Sequence, residues 1–373
     1  MSATLLPREQ PVQLVDASGA AHPDPLFELP SKDRLLEGYR SLVIGRRIND
    51  QCNALVRQGR LAVYPSSHGQ EACQVAAVMA LAEQDWLFPT YRDSVAVISR
   101  GVPAADAMVL LRGDWHSGYD PKRYRVATQS TPLATQLLHA VGFAHAAKLR
   151  GETGDPNGTV VLAMCGDGAT SEGDFHEAMN FAAVFHLPVV FFVQNNEFAI
   201  SVPLSRQTAA ASLAHKAIGY GMPGERVDGN DLPALVAVLD DAVTRARSGA
   251  GPTLIEAHTY RMQAHTNADD DSRYREHSDV QAWVERDPLT RMRAFLTAKK
   301  WLTAERESEI AAEAEAVAAE LRTVMNEERE PDPEDLFRHV YAERTAQLTE
   351  QWDSLRDEIA RGESTASAEG GAL

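Results

Sequence analysis

Gly166-Asp167-Gly168 closes one apolar run, and Asn195-Asn196 closes the next. The two runs, Thr159–Cys165 and Leu187–Val193, are rich in Val, Phe and Leu with little alternation, which predicts strands covered on both faces. Between them Phe175, Ala178, Met179, Ala182 and Phe185 recur at three- and four-residue spacing and predict one amphipathic helix. Ser171 reads as its N-cap, and Glu172, Asp174 and Glu177 fall in the first turns, where acids suit the dipole. A parallel strand–helix–strand unit sets the two strand ends side by side, where open parallel sheets bind ligands. Asp167 and Asn196 then converge near a helix N-terminus. That terminus offers only about half a positive charge, too little to anchor a diphosphate that Asp167 repels. A hard divalent cation resolves both problems, because Mg²⁺ takes oxygen ligands from carboxylates, phosphate and water. Asp167, Asn196 and a nearby backbone carbonyl supply three oxygens, and glycines at 166 and 168 let the backbone approach a ligand. The segment is neither a P-loop nor a G-x-G-x-x-G fingerprint, since Ser171 holds the last position.

Three other stations carry chemistry. Phe88-Pro89-Thr90-Tyr91-Arg92-Asp93 offers a phenol and a forked, charged donor suited to phosphate oxygens. Ser130-Thr131-Pro132-Leu133-Ala134-Thr135-Gln136 gathers hydroxyls and an amide before a helix, where capping is the default role. His265 follows a strand end and precedes the charged loop Asn267–Arg275, a position suited to proton chemistry. Asp269-Asp270-Asp271 reads as turn caps paired with Arg261, Arg273 or Arg275 rather than as a metal site.

These stations need a scaffold. The chain has 373 residues, 44 % of them hydrophobic, enough for one large α/β domain or two smaller ones. Helices are expected over 31–60, 69–83 and 134–150, a strand over Thr253–Tyr260, and Ala-, Glu- and Arg-rich helices up to 330. Residues 1–30 are expected as an extended or disordered arm, 31–345 as the main domain, and 346–373 as a C-terminal helix with a disordered tail. A net charge of −17 disfavours nucleic acid and anionic membranes as partners. Cys52, Cys73 and Cys165 are widely spaced and form no redox or metal motif, which suits a reducing cytoplasm. No apolar run reaches membrane-spanning length, and the N-terminus lacks the features of signal or transit peptides.

The Gly-Asp-Gly to Asn-Asn pair resembles the signature of thiamine diphosphate enzymes. The wider stretch is similar to the α subunit of the E1 component of 2-oxo-acid dehydrogenase complexes, over roughly residues 30–345. The resemblance implies an α/β fold of the thiamine diphosphate-binding type, mainly a parallel sheet with helices on both faces. It implies Mg²⁺ on Asp167, Asn196 and the carbonyl of Phe198. Tyr91 and Arg92 match the diphosphate-binding pair, and Gln194 stands where branched-chain animal members have arginine. Thr131 and Leu133 match residues along the cofactor, and Gly166, Gly168 and Ala169 join them as cofactor contacts. Ser130, Pro132, Thr135 and Gln136 match a K⁺ site of branched-chain members. His265 matches the active-site histidine that serves reaction with the lipoyl group. Relatives often carry a second histidine one or two places earlier, where this chain has Gln263 and Ala264.

The resemblance further implies an E1 β partner in an α₂β₂ heterotetramer, the lipoyl domain of an E2 acyltransferase, and a small 2-oxo acid as substrate. Ser130–Gln136, Gly166–Asp174 and Ala268–Arg275 look most like branched-chain enzymes. Gln58–Ala72 and Val193–Ser201 also resemble bacterial pyruvate dehydrogenases. A nicotinamide-dependent dehydrogenase and a non-catalytic assembly subunit remain the other two classes; the absent dinucleotide fingerprint counts against the first.

Overall fold

A computed structural model of the protein describes residues 5–114, 116–327 and 332–361. The tail expected to be disordered, 362–373, lies outside the described residues. In chain order the elements are α1 (Lys32–Arg57), α2 (Glu71–Met79), β1 (Trp86–Phe88), α3 (Ser94–Ser99), α4 (Ala104–Arg112), α5 (Pro121–Tyr124), α6 (Thr135–Leu149) and β2 (Val161–Gly166). Then come α7 (Gly173–Val184), β3 (Val189–Asn195), β4 (Phe198–Ala199), β5 (Val202–Pro203), β6 (Gly224–Asp228), α8 (Leu232–Arg247) and β7 (Thr253–His258). Helices α9 (His277–Val284), α10 (Pro288–Ala298), α11 (Ala304–Asn326), α12 (Asp335–Arg338) and α13 (Ala346–Ala360) follow.

Five strands form one sheet in the order β1-β2-β3-β7-β6, every neighbouring pair parallel. Strand residues alternate between two cores. Leu162, Met164, Val190 and Phe192 pack among α1, α2 and α8 on one face, whereas Val161, Ala163, Cys165, Phe191 and Val193 pack against α6 and α7 on the other. All seven residues of β3 are buried. Burial on both faces explains why the strands read as continuous apolar runs, as expected of a doubly covered parallel sheet. Register aligns Gly166 with Gln194 and Asn195 with His258, so three strands deliver their carboxyl ends to one edge.

The helix between β2 and β3 begins later than the sequence predicts. Residues 168–171 wind into a tight 3₁₀ turn, with Thr170 N donating to Asp167 O at 3.0 Å. Ser171 is therefore not the N-cap: Glu172 occupies that position without a side-chain bond, and α7 starts at Gly173. Phe185 likewise leaves the buried face. It sits past the last helical turn, before His186 at φ +46°, and is 42 % exposed against Phe181 and His145.

The segment before α1 runs extended along the sheet's β6 edge. Val12 bridges Val227 in parallel, and Leu14 N and Val15 N donate to Asp231 Oδ2 at 2.6 and 2.8 Å. The same carboxylate group caps α8 through Ala234 N.

Candidate active site

Asp167 is the first residue past β2 and is 1 % exposed. Its Oδ1 accepts from Asn196 N at 3.3 Å and its Oδ2 from Gln207 Nε2 at 2.7 Å. Burial pushes this carboxyl up from its ordinary range, so the charged form lacks a full complement of stabilising partners. Asn196 follows β3 and is held from both sides: Nδ2 donates to Gln70 Oε1 at 3.2 Å, and Oδ1 accepts from Phe198 N at 3.3 Å. An amide oxygen has two acceptor positions, so one stays free for a cation. Phe198 pairs across the β4–β5 hairpin with Pro203, which has no N–H to give its carbonyl. Three oxygens of the expected type thus sit on adjoining backbone. Among the described residues no cluster of three His, Cys, Asp or Glu side chains could hold a metal. A cation here would need ligand oxygens as well, the usual Mg²⁺ arrangement.

A chain of buried amides orients this corner. Gln70 Nε2 donates to Gln194 Oε1 at 3.3 Å, and Gln194 Nε2 donates to Asp93 Oδ1 at 2.7 Å. Asp93 in turn accepts from Thr90 N at 2.7 Å. Gln194 therefore braces the 90–93 turn that presents Tyr91 and Arg92.

Arg92 is 6 % exposed. Its guanidinium donates to Ser66 O at 2.8 Å and to His265 O and Nδ1, each at 3.0 Å. Arg261, 1 % exposed, reaches the same Nδ1 at 3.2 Å and also donates to Ile200 O and Tyr274 Oη. Guanidinium groups only donate, so Nδ1 of His265 is an acceptor and the ring proton sits on Nε2. Burial and these two cations push the His265 pKa down to about 4, fixing a neutral imidazole. Asp269 Oδ2 takes the His265 backbone N–H at 2.8 Å and the Tyr274 hydroxyl, which ties the charged loop to the histidine. Asp270 caps the next turn and Asp271 pairs with Arg275, the structural roles foreseen for this acidic run.

These groups share one cleft of ≈ 380 Å³, within the usual size of a small-molecule site. Its wall includes Tyr91, Arg92, Ser130, Thr131, Pro132 and Leu133. It continues through Gln136, Gly166, Asp167, Gly168, Ala169, Gln194, Asn196, Phe198 and His265. Thr135 is the sequence-selected residue left off that wall; its Oγ1 lies 3.4 Å from Asp174 Oδ2 instead. The side chain of Gln136 is engaged as well, donating to Met164 O at 2.8 Å. Four groups that support this site are not picked out as site residues from the sequence. Asp93 and Gln70 lie inside motifs already singled out, but Arg261 reads only as a partner for nearby acids, and Gln207 carries no local signal.

Arg92 and Arg261 have no carboxylate within ion-pair distance among the described residues. The two buried guanidiniums, Arg92 and Arg261, give this side of the cleft a positive character. Fold and cleft together define a parallel α/β protein whose strand ends bring an oxygen-rich corner and two buried guanidiniums to one cleft. The chain belongs to the dehydrogenase E1 component family, whose profile matches residues 39–334. The family is thiamine diphosphate-dependent, and its α subunits work with a β subunit. The chain is 46 % identical over 353 residues to the 3-methyl-2-oxobutanoate dehydrogenase subunit alpha of Mycobacterium tuberculosis, covering 94 % of this chain and 95 % of that one. It is 36 % identical over 348 residues to the pyruvate dehydrogenase E1 component subunit alpha of Staphylococcus aureus, covering 93 % and 92 %. No helix among the described residues is long and apolar enough to cross a membrane.

Proposed function

We propose that this chain is the α subunit of a branched-chain 2-oxo-acid dehydrogenase, holding the diphosphate and metal end of thiamine diphosphate. The observation that carries the reading is the pairing of Asp167, Asn196 and Phe198 with two counterion-free guanidiniums across one cleft. Asp167, the Asn196 amide oxygen and the Phe198 carbonyl would hold Mg²⁺, which would supply the positive charge a diphosphate needs beside a carboxylate. Arg92, with Tyr91 beside it, would bind the diphosphate, and Arg261 would add positive charge to the same wall. When bound, thiamine diphosphate supplies the nucleophilic carbon and the electron sink for loss of CO₂. His265, neutral and protonated on Nε2, is a proton donor held in register by Arg92, Arg261 and Asp269; it serves acyl transfer to a lipoyl group on E2. Thr131 and Leu133 line the path along the cofactor. Ser130, Pro132 and Gln136 remain a candidate K⁺ turn, with Thr135 turned toward Asp174.

Val63, Leu111, Leu133 and Ile200 give the cleft an apolar lining suited to a branched aliphatic tail. The relative at 46 % identity carries that substrate in its name. Pyruvate is the second reading, favoured by the relative at 36 %. The catalytic glutamate of the aminopyrimidine half is assigned to an E1 β chain in an α₂β₂ assembly. Exposed Leu149, Val184 and Phe185 offer apolar surface that a partner would cover. A cytoplasmic setting goes with this assignment.

The test is decarboxylation by the co-expressed αβ pair with 3-methyl-2-oxobutanoate and with pyruvate. A higher kcat/KM for the branched acid is expected; preference for pyruvate would reverse the substrate assignment. Asp167→Ala should weaken Mg²⁺-dependent cofactor binding at least tenfold, about 1.4 kcal/mol. Unchanged binding by calorimetry would remove the metal assignment.

A further inference from the structure

Asp167 is gripped from a distance. Gln207, 40 residues away in the chain, donates from Nε2 to Asp167 Oδ2 at 2.7 Å and to Val202 O at 3.0 Å. Both amide hydrogens are thereby used, which fixes the plane of the group. Its Oε1 is buried and has no hydrogen-bond partner. Buried acceptors are seldom left so without a reason.

The chain between these residues forms a closed loop around the carboxylate. Asn196 N donates to Asp167 Oδ1 at the loop's entry, and Gln207 donates to Oδ2 at its exit. Leu204 N donates to Glu197 O at 2.9 Å and draws the two arms together. Phe198 lies on the same loop, and Gly168 packs beneath it: a Cβ there would meet the Cβ of Ala199 at 2.7 Å.

We propose that Gln207 is the positioning residue of the metal site. It locks the Asp167 carboxylate against the loop that bears the Asn196 and Phe198 oxygens, so that the three oxygens are held in one arrangement. This rests on the reading of Asp167 as the Mg²⁺ ligand. Outer partners of ligating carboxylates typically govern about 10–100-fold of metal affinity.

The experiment titrates Mg²⁺ into the co-expressed αβ assembly at fixed thiamine diphosphate, read by calorimetry. Wild type, Gln207→Leu, Gln207→Met and Asp167→Asn are compared, together with the melting temperature of each without metal or cofactor. Gln207→Leu and Gln207→Met should raise the Mg²⁺ midpoint 10–100-fold while leaving the metal-free melt in place. A merely structural role would move the melt and not the midpoint. Wild-type midpoints in both Gln207 variants, with binding lost in Asp167→Asn, overturn the role of Gln207 alone. A wild-type midpoint in Asp167→Asn overturns the metal reading and the proposal with it. If Gln207→Leu fails to assemble, Gln207→Met decides.

Discussion

His265 shows how neighbours set the chemistry of a single residue. Two guanidiniums converge on its Nδ1, and both oppose a second ring proton. Its folded pKa of about 4 lies below the ordinary histidine value of about 6.5. Between those values the unfolded chain binds a proton that the native chain refuses. Stability from this group is therefore complete above about pH 6.5 and is lost as pH falls toward 4. Histidine NMR on the cofactor-free protein should show no His265 titration near 6.5. Pyrophosphate, by neutralising Arg92 and Arg261, should raise its midpoint. A midpoint near 6.5 without added anion would show that the two arginines do not control the ring.

At the scale of elements, the β2–α7–β3 unit was legible because its cues are local. Doubly covered strands leave continuous apolar runs, and the helix leaves a periodic stripe. The helix start was less legible, since the 3₁₀ turn at 168–171 answers to the geometry around Asp167 rather than to a cap at Ser171. Gly168 and Gly166 look alike in the sequence and differ in space. A Cβ at 168 collides with Ala199, whereas nothing lies within 4 Å of one at 166. Gly168→Ala should push the β4–β5 hairpin away, costing about 1–3 kcal/mol of stability and weakening Mg²⁺ binding. Gly166→Ala should leave the melt alone. Equal melts for the two variants would refute the close approach of hairpin and turn. Gln207 was illegible for a different reason: its partner Asp167 lies 40 residues away and is brought to it only by the fold, whereas Arg261 reads as a partner for the nearby acids and instead turns to His265.

Across the whole molecule, one buried carboxylate ties the N-terminal segment to the sheet beside the Val12–Val227 bridge. Asp231 caps α8 and also receives Leu14 N and Val15 N, so one side chain ends a helix and docks the N-terminal segment. Asp231→Ala removes the cap, worth about 0.5–2 kcal/mol, and strands two buried N–H groups at about 1–3 kcal/mol each. A melting-temperature loss with early proteolysis before α1 is expected; an unaltered melt would mean that the arm docks by other contacts. The sheet also divides the interior in two, and the thiols fall on both sides of that wall. Cys52 and Cys73 belong to one core, Cys165 to the other, and all three are fully buried and unpaired. The chain thus carries its own reporters: a thiol reagent can reach either set only when that side breathes. Labelling rates therefore time the opening of each half separately, with no foreign probe attached.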